Sequence, residues 1–241
     1  MLEAAFWGFV GGFALLVGAV IGLRVRLPQR VVGGVMAFGA GVLISAVAFD
    51  LVEEGFEAAG TWPVLAGLAG GALTFFLGDA VIDIRGGNDR KRSGGQQAGG
   101  ASAAIVLGAV LDGIPESAAI GVSLLGGGTV SAAVVVAVFL SNVPESLSAA
   151  VGLRAAGHSA RGILALWSVV AVVSAVAAAL GYVLLGDASP SAVAVVQAFA
   201  AGAILTMLAD TMMPEAFQAE GRLTGVLTSA GFVTAFLVSH L

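Results

Sequence analysis

Two short segments of this chain echo each other and carry most of its chemistry. Asp112-Gly113-Ile114-Pro115-Glu116-Ser117 and Ser141-Asn142-Val143-Pro144-Glu145-Ser146 both fall in the middle of apolar runs. On a helix, Asp112 and Glu116 share one face a turn apart, and so do Ser141 and Glu145. Each proline lacks a backbone N–H, which frees the carbonyls of Leu111 and Leu140 roughly one turn earlier. Carboxylates, a carboxamide, hydroxyls and free carbonyls together make an oxygen-rich cage, and a bound cation offsets the repulsion among its acids. Taken singly, some of these groups have plainer uses. Pro115 and Pro144 serve equally as kinks, since proline is common in membrane helices. Asn142, Ser117, Ser141 and Ser146 are of the types that join helix to helix. Glu116 and Glu145 differ, because no Lys or Arg falls in any apolar run to pair with them. Protonation is the alternative way to neutralise them, and it would suit a proton pathway.

The elements that position these residues follow from composition. Of the 241 residues, 59% are hydrophobic and 10% charged, and the mean hydropathy is +1.04. A soluble domain carries about 25% charged residues to face water, so lipid must cover the outside of this chain. A span takes about 20 apolar residues, which allows roughly seven to nine spans here. The 36 glycines suit close helix contact in lipid. With no cysteine in the chain, disulfides, thiolate metal sites and cysteine chemistry are ruled out.

Helices are predicted near 3–23, 31–53, 62–84, 101–124, 129–153, 160–185, 190–213 and 222–241. The first run has Glu3 near its start and Arg24, Arg26 and Arg30 after it. A cleaved signal peptide would place positive charge first, so the run reads as a retained helix. All ten Lys and Arg then fall in odd-numbered loops. That bias makes those loops cytoplasmic and puts both termini outside. The even-numbered loops carry Glu53, Glu54, Glu57 and Asp187 with no basic residue, an acidic surface that would concentrate cations. The Gly-, Gln- and Ser-rich stretch 85–100 reads as a flexible cytoplasmic linker within one transmembrane domain spanning 1–241.

An internal repeat adds topology. Ala37-Phe38-Gly39-Ala40-Gly41 recurs as Ala198-Phe199-Ala200-Ala201-Gly202. The same offset aligns Glu54, Phe56, Ala58 and Gly60 with Glu215, Phe217, Ala219 and Gly221. The first copy lies on an outward-running helix and the second on an inward-running one. Such an inverted repeat is the usual construction of secondary transporters, with the substrate near the midplane. Chance similarity between Ala/Gly-rich helices is the competing account. Among other acids, Asp210 falls in the seventh run one turn before Pro214 and joins the candidate ligands. Asp50, Glu53 and Glu54 close the second helix as an entrance or as a solvated end. Asp79 and Asp83 end the third helix and would cap an exit, or Asp83 would pair with Arg85. His158 and His240 read as surface residues.

On these residues the chain resembles the ZIP (Zrt/Irt-like) family of metal transporters over essentially its whole length. The resemblance implies an all-α integral membrane fold of eight transmembrane helices, arranged 3+2+3 with helices 1–3 and 6–8 as inverted repeats. It also implies a transport site built by paired motifs of the form His-Asn-x-Pro-Glu-Gly on helices 4 and 5. Pro115-Glu116, Pro144-Glu145 and Asn142 match that form, and Asp210-Thr211-Met212-Met213-Pro214-Glu215 is similar to the family's acidic segment on helix 7. This chain departs from the pattern elsewhere. Asp112 and Ser141 stand where the family has His, Gly113 where it often has Asn, and Thr211 where it has an acid. Ala178-Ala179-Leu180-Gly181 replaces an acid-bearing segment on helix 6. One metal held by Asp112, Glu116, Asn142 and Glu145, with Ser141 or Asp210 assisting, is the economical arrangement.

The expected function is transport of a divalent cation across the cell membrane. Oxygen donors suit Mg, Ca and Mn, while zinc also accepts carboxylates. The resemblance favours zinc, with Mn or Fe as the other candidates, in every case as cargo and not as a prosthetic group. The expected partners are the ion and the bilayer, with no nucleic acid; a homodimer is left open. Enzyme chemistry is not expected, since no His or Cys lies in a span to activate a nucleophile or hold a catalytic zinc. Two alternatives remain: a proton-coupled transporter of a non-metal solute, and a family relative that has lost transport.

Overall fold

The computed structural model describes residues 1–25, 27–84, 102–125 and 130–240, so Arg26 and the predicted linker 85–100 lie outside the described residues. Within them the chain is helical throughout, with no strand. The elements are α1 (Leu2–Arg24), α2 (Gln29–Ala46), a π-helical segment (Val47–Glu53) and α3 (Glu54–Ala59). After these come α4 (Thr61–Ile82), α5 (Ser102–Ser123), α6 (Ala132–Ala155) and α7 (Ala160–Leu185). The chain closes with α8 (Pro190–Met207), a second π segment (Leu208–Met212), α9 (Met213–Glu220), a 3-10 turn (Gly221–Leu223) and α10 (Thr224–His240).

Local chemistry sets these boundaries. Ser131, Ser159 and Ser189 precede α6, α7 and α8, and each side chain accepts a hydrogen bond from a backbone N–H in the first turn. Such caps satisfy donors that a helix start leaves open. Pro190 follows its cap at the position where a missing N–H costs nothing. Pro115 and Pro144 sit inside α5 and α6 without ending either helix.

Two helices run further than the sequence predicts. The second, expected to stop at 53, continues through the π segment to Ala59. The seventh, expected to stop at 213, reaches Glu220. Their acids resemble helix ends, but the true stops are Gly60 (φ 75°) and Gly221 (φ 80°). A positive φ at these two places favours glycine, which has no Cβ to clash. Gly60 and Gly221, and the π-segment starts Val47 and Leu208, fall at corresponding positions of the sequence repeat.

Among the described residues, six helical stretches are long and apolar enough to cross a membrane. They are Leu2–Arg24, Gln29–Ala59, Thr61–Ile82, Val134–Ala155, Ala160–Leu185 and Pro190–Ser239. Large apolar side chains such as Leu73, Phe76, Val172, Val176 and Val233 face outward, while the interior holds Met36, Leu43, Phe75 and Met207. A chain apolar on both its inside and its outside is a multi-pass integral membrane protein.

Glycine sets the packing. A Cβ added at Gly41 would collide with Thr228 O on α10, and one at Gly231 with Phe38 O on α2. One at Gly202 would collide with Leu68 O on α4, and one at Gly71 with Phe199 O on α8. Thus α2 runs parallel to α10, and α4 parallel to α8, with backbone against backbone. Contacts of Gly11, Gly18 and Gly22 set α1 parallel to α6, those of Gly113 and Gly121 set α5 parallel to α7, and those of Gly8 and Gly12 set α1 antiparallel to α7.

Candidate functional site

The two motifs lie at the centres of α5 and α6, and both are buried. Asp112 is 2% exposed, Glu116 1%, Ser141 0%, Asn142 4% and Glu145 3%. Glu116 stands about 20 Å along α5 and Glu145 about 20 Å along α6, at 1.5 Å per residue, so each is well inside its helix. Asp79, Asp112, Glu116 and Glu145 are the buried charged side chains among the described residues, and all four are acidic. Unlike exposed carboxylates, these cannot be stabilised by bulk water.

The hydroxyls are spent on the helices that carry them. Ser117 Oγ donates to Gly113 O (2.6 Å), Ser141 Oγ to Val138 O (3.0 Å) and Ser146 Oγ to Asn142 O (2.8 Å). Their oxygen lone pairs remain as acceptors for a cation or water. Asn142 is held from outside its own helix: its Nδ2 donates to Gly11 O on α1 at 3.0 Å. That bond fixes the carboxamide plane and turns its Oδ1 away from α1.

Helix α1 therefore belongs to the site, and sequence reasoning missed it. A Cβ on Gly11 would stand 2.9 Å from Ile120 Cδ1 of α5 and 3.2 Å from Val138 Cγ1 of α6. One on Gly18 would collide with Val143 O and Ser146 Oγ. The signal was the glycine spacing along α1, read only as general membrane packing. Of the carbonyls freed by proline, that of Leu140 faces α2, where a Cβ on Gly39 would be 3.1 Å away.

Asp210 does not join the buried group. It is exposed in the second π segment and lines a groove between α4 and α8 with Thr206, Leu73 and Phe76. Asp112, Glu116, Ser141, Asn142 and Glu145 do not line that groove. Asp50 is half-buried in the first π segment, and Glu53 and Glu54 are exposed; the helix continues past all three. Asp79 is buried on α4 at 8% exposure and Asp83 is half-buried.

Among the described residues, no group of three or more His, Cys, Asp or Glu stands close enough to hold a metal ion. An ion at the centre of α5 and α6 would therefore take most of its ligands from neutral oxygens. Serine, asparagine, backbone carbonyls and water supply that kind of donor, which suits hard divalent cations best. Comparison with family models and with curated proteins returns no match for this chain.

Proposed function

We propose that this chain transports a divalent metal cation across the membrane through the oxygen-rich region of α5 and α6, with zinc the leading substrate and Mn and Fe next. The observation that carries the reading is the burial of Glu116 and Glu145, with Asp112, in an interior whose buried charges are all acidic. Buried acids in membrane helices mark ion paths, and a dication passing beside them would offset their negative charge.

The architecture proposed with it is eight spans in a 3+2+3 order, of ZIP type. Taking Pro190–Ser239 as two passes that turn at Gly221, and adding α5, gives that count. Helices 1–3 are then α1, α2–α3 and α4; helices 6–8 are α7, α8–α9 and α10. Exchanging the two sets, and α5 with α6, turns the α2–α10 contact into α8–α4 and the α1–α6 contact into α7–α5. The matched glycine contacts, π segments and glycine stops support an inverted repeat in the same way. The parallel and antiparallel directions fit helices that cross alternately, with both termini on the outer side.

The test is uptake into liposomes by the purified protein, scanning Zn, Mn, Fe, Co, Cd and Mg. Glu116→Ala and Glu145→Ala are each expected to reduce flux to that of empty liposomes while the protein still inserts. Wild-type flux in both variants refutes the assignment. A proton flux that ignores metal would instead favour the proton-coupled reading, in which the two glutamates are carriers.

A further inference from the structure

A second polar feature lies away from the buried glutamates. Where α3 and α8 meet the C-terminal ends of α5 and α7, there is a cavity of about 380 Å³. Its walls include Glu54, Ala58, Ser123, Gly186, Val193 and Gln197, and neither Lys nor Arg lines it among the described residues. Asp112, Glu116 and Glu145 are not among its lining residues. Spacing explains why these side chains converge, since Glu54 and Ala58 are one turn apart on α3, and Val193 and Gln197 one turn apart on α8.

Gln197 is the unusual member. It sits about 10 Å along α8, at 1.5 Å per residue, is only 8% exposed, and faces the cavity. Its carboxamide makes no side-chain hydrogen bond among the described residues. The amide therefore meets the contents of the cavity and not a protein partner. It is not acting as contact between helices, which would explain a polar residue in an apolar run. The repeat sharpens the point: the position matching Gln197 in the other half is Met36, fully buried in the core. Packing alone is satisfied there by an apolar side chain of similar length.

The surroundings select a cation. Glu54 supplies a carboxylate and Gln197 an amide oxygen, and the partial negative ends of α5 and α7 outnumber the single positive end of α8 at Pro190 and Val193. The volume holds about a dozen waters at about 30 Å³ each, so an ion enters with most of its hydration shell. We propose that this cavity binds a hydrated divalent cation, with Glu54 and Gln197 as its protein ligands, directly or through water. The transport reading is needed only to name this end the outer one; the binding itself stands apart from it.

The chain has no cysteine, so a nitroxide spin label can be placed at one site. Ser191→Cys, exposed on the first turn of α8 and outside the cavity lining, puts the label near the rim. The probe is Mn²⁺, whose paramagnetism broadens the label's spectrum when it binds nearby. Broadening is expected to saturate, and Glu54→Gln and Gln197→Met are each expected to raise the half-saturating Mn²⁺ about tenfold, or about 1.4 kcal/mol. Gln197→Met reproduces the residue of the other half, so the fold is expected to persist, checked by circular dichroism. Glu57→Gln, outside the cavity lining, and Glu116→Gln, at the buried site, are expected to leave half-saturation unchanged.

Broadening that never saturates overturns the site. So does a Glu57→Gln variant as weak as Glu54→Gln, which would mean a diffuse acidic surface. Weakening by Glu116→Gln alone also overturns it, because the label would then be reporting the central acids. Saturable binding in a protein that moves no metal would leave this site standing and remove only the transport reading.

Discussion

The two halves of the chain use one backbone plan and pack it differently. In both, a long helix passes through a π segment and a short helix before a glycine of positive φ ends it. At the start of α2, Gly33 lies so close to α9 that a Cβ would stand 2.6 Å from Ala219 Cβ and 3.0 Å from Ala216 O. At the start of α8 the matching residue is Ala194, and it faces Gly55 of α3, where a Cβ would stand an ordinary 3.6 Å from Ala194 O. Glycine and alanine have traded places across the contact. One end is packed shut around Met36, and the other opens into the cavity beside Gln197. The two segments therefore share one path of the chain, while a few small side chains distinguish the end that opens into the cavity.

The shared part of that comparison is tested by the largest effect. Gly60→Ala and Gly221→Ala should each lower stability by about 1–3 kcal/mol, because both backbones sit where a Cβ is strained. Thermal unfolding in detergent should show similar losses for the two. A loss at one position alone would break the correspondence between the halves.

The differing part is tested next. Gly33→Ala should cost about 1–3 kcal/mol by overpacking α2 against α9. Gly55→Ala has room for its methyl, and alanine is the better helix former by about 0.8–1.0 kcal/mol. Its unfolding temperature should therefore hold or rise. Equal losses at Gly33 and Gly55 would mean that both ends are closed alike.

The smallest effect belongs to the two motifs, which differ in the same manner. Gly113 faces Ser174 of α7 across an ordinary contact, whereas the matching Asn142 is bonded to Gly11 O of α1. Asn142→Ala should cost about 0.6 kcal/mol, the usual worth of a hydrogen bond between membrane helices. Its effect on metal uptake should exceed its effect on unfolding if its Oδ1 serves an ion. A loss of uptake no larger than the loss of stability would reduce Asn142 to a contact with α1.

Much of this was legible in the sequence, and the exceptions have physical causes. Long apolar runs mark helices because lipid leaves few other options. The mid-run position of Pro115-Glu116 and Pro144-Glu145 led directly to the buried acids. The helix ends near 53 and 213 were missed because acids and a proline usually signal an exit from lipid, whereas here the helices continue through π turns. The same turn leaves Asp210 exposed against α4, a change of face that regular helical spacing does not foresee. Gly11 was missed because its contribution is a backbone carbonyl, which every residue has. Gln197 left one faint mark, a lone amide in an apolar run whose repeat partner is methionine.

The glycine contacts have a mechanical consequence. At Gly41 and Gly231 between α2 and α10, and at Gly71 and Gly202 between α4 and α8, backbone meets backbone with no side chain between to change rotamer. Close-packed interfaces of this kind transmit displacement without yielding to it. In the proposed transporter, each pair would travel as a single rod. A transport cycle that exchanged the open end for the closed one would then have to be taken up at other helix contacts. The α2–α9 and α8–α3 contacts, each built on one glycine and one alanine, are the places where so small a difference could tip it.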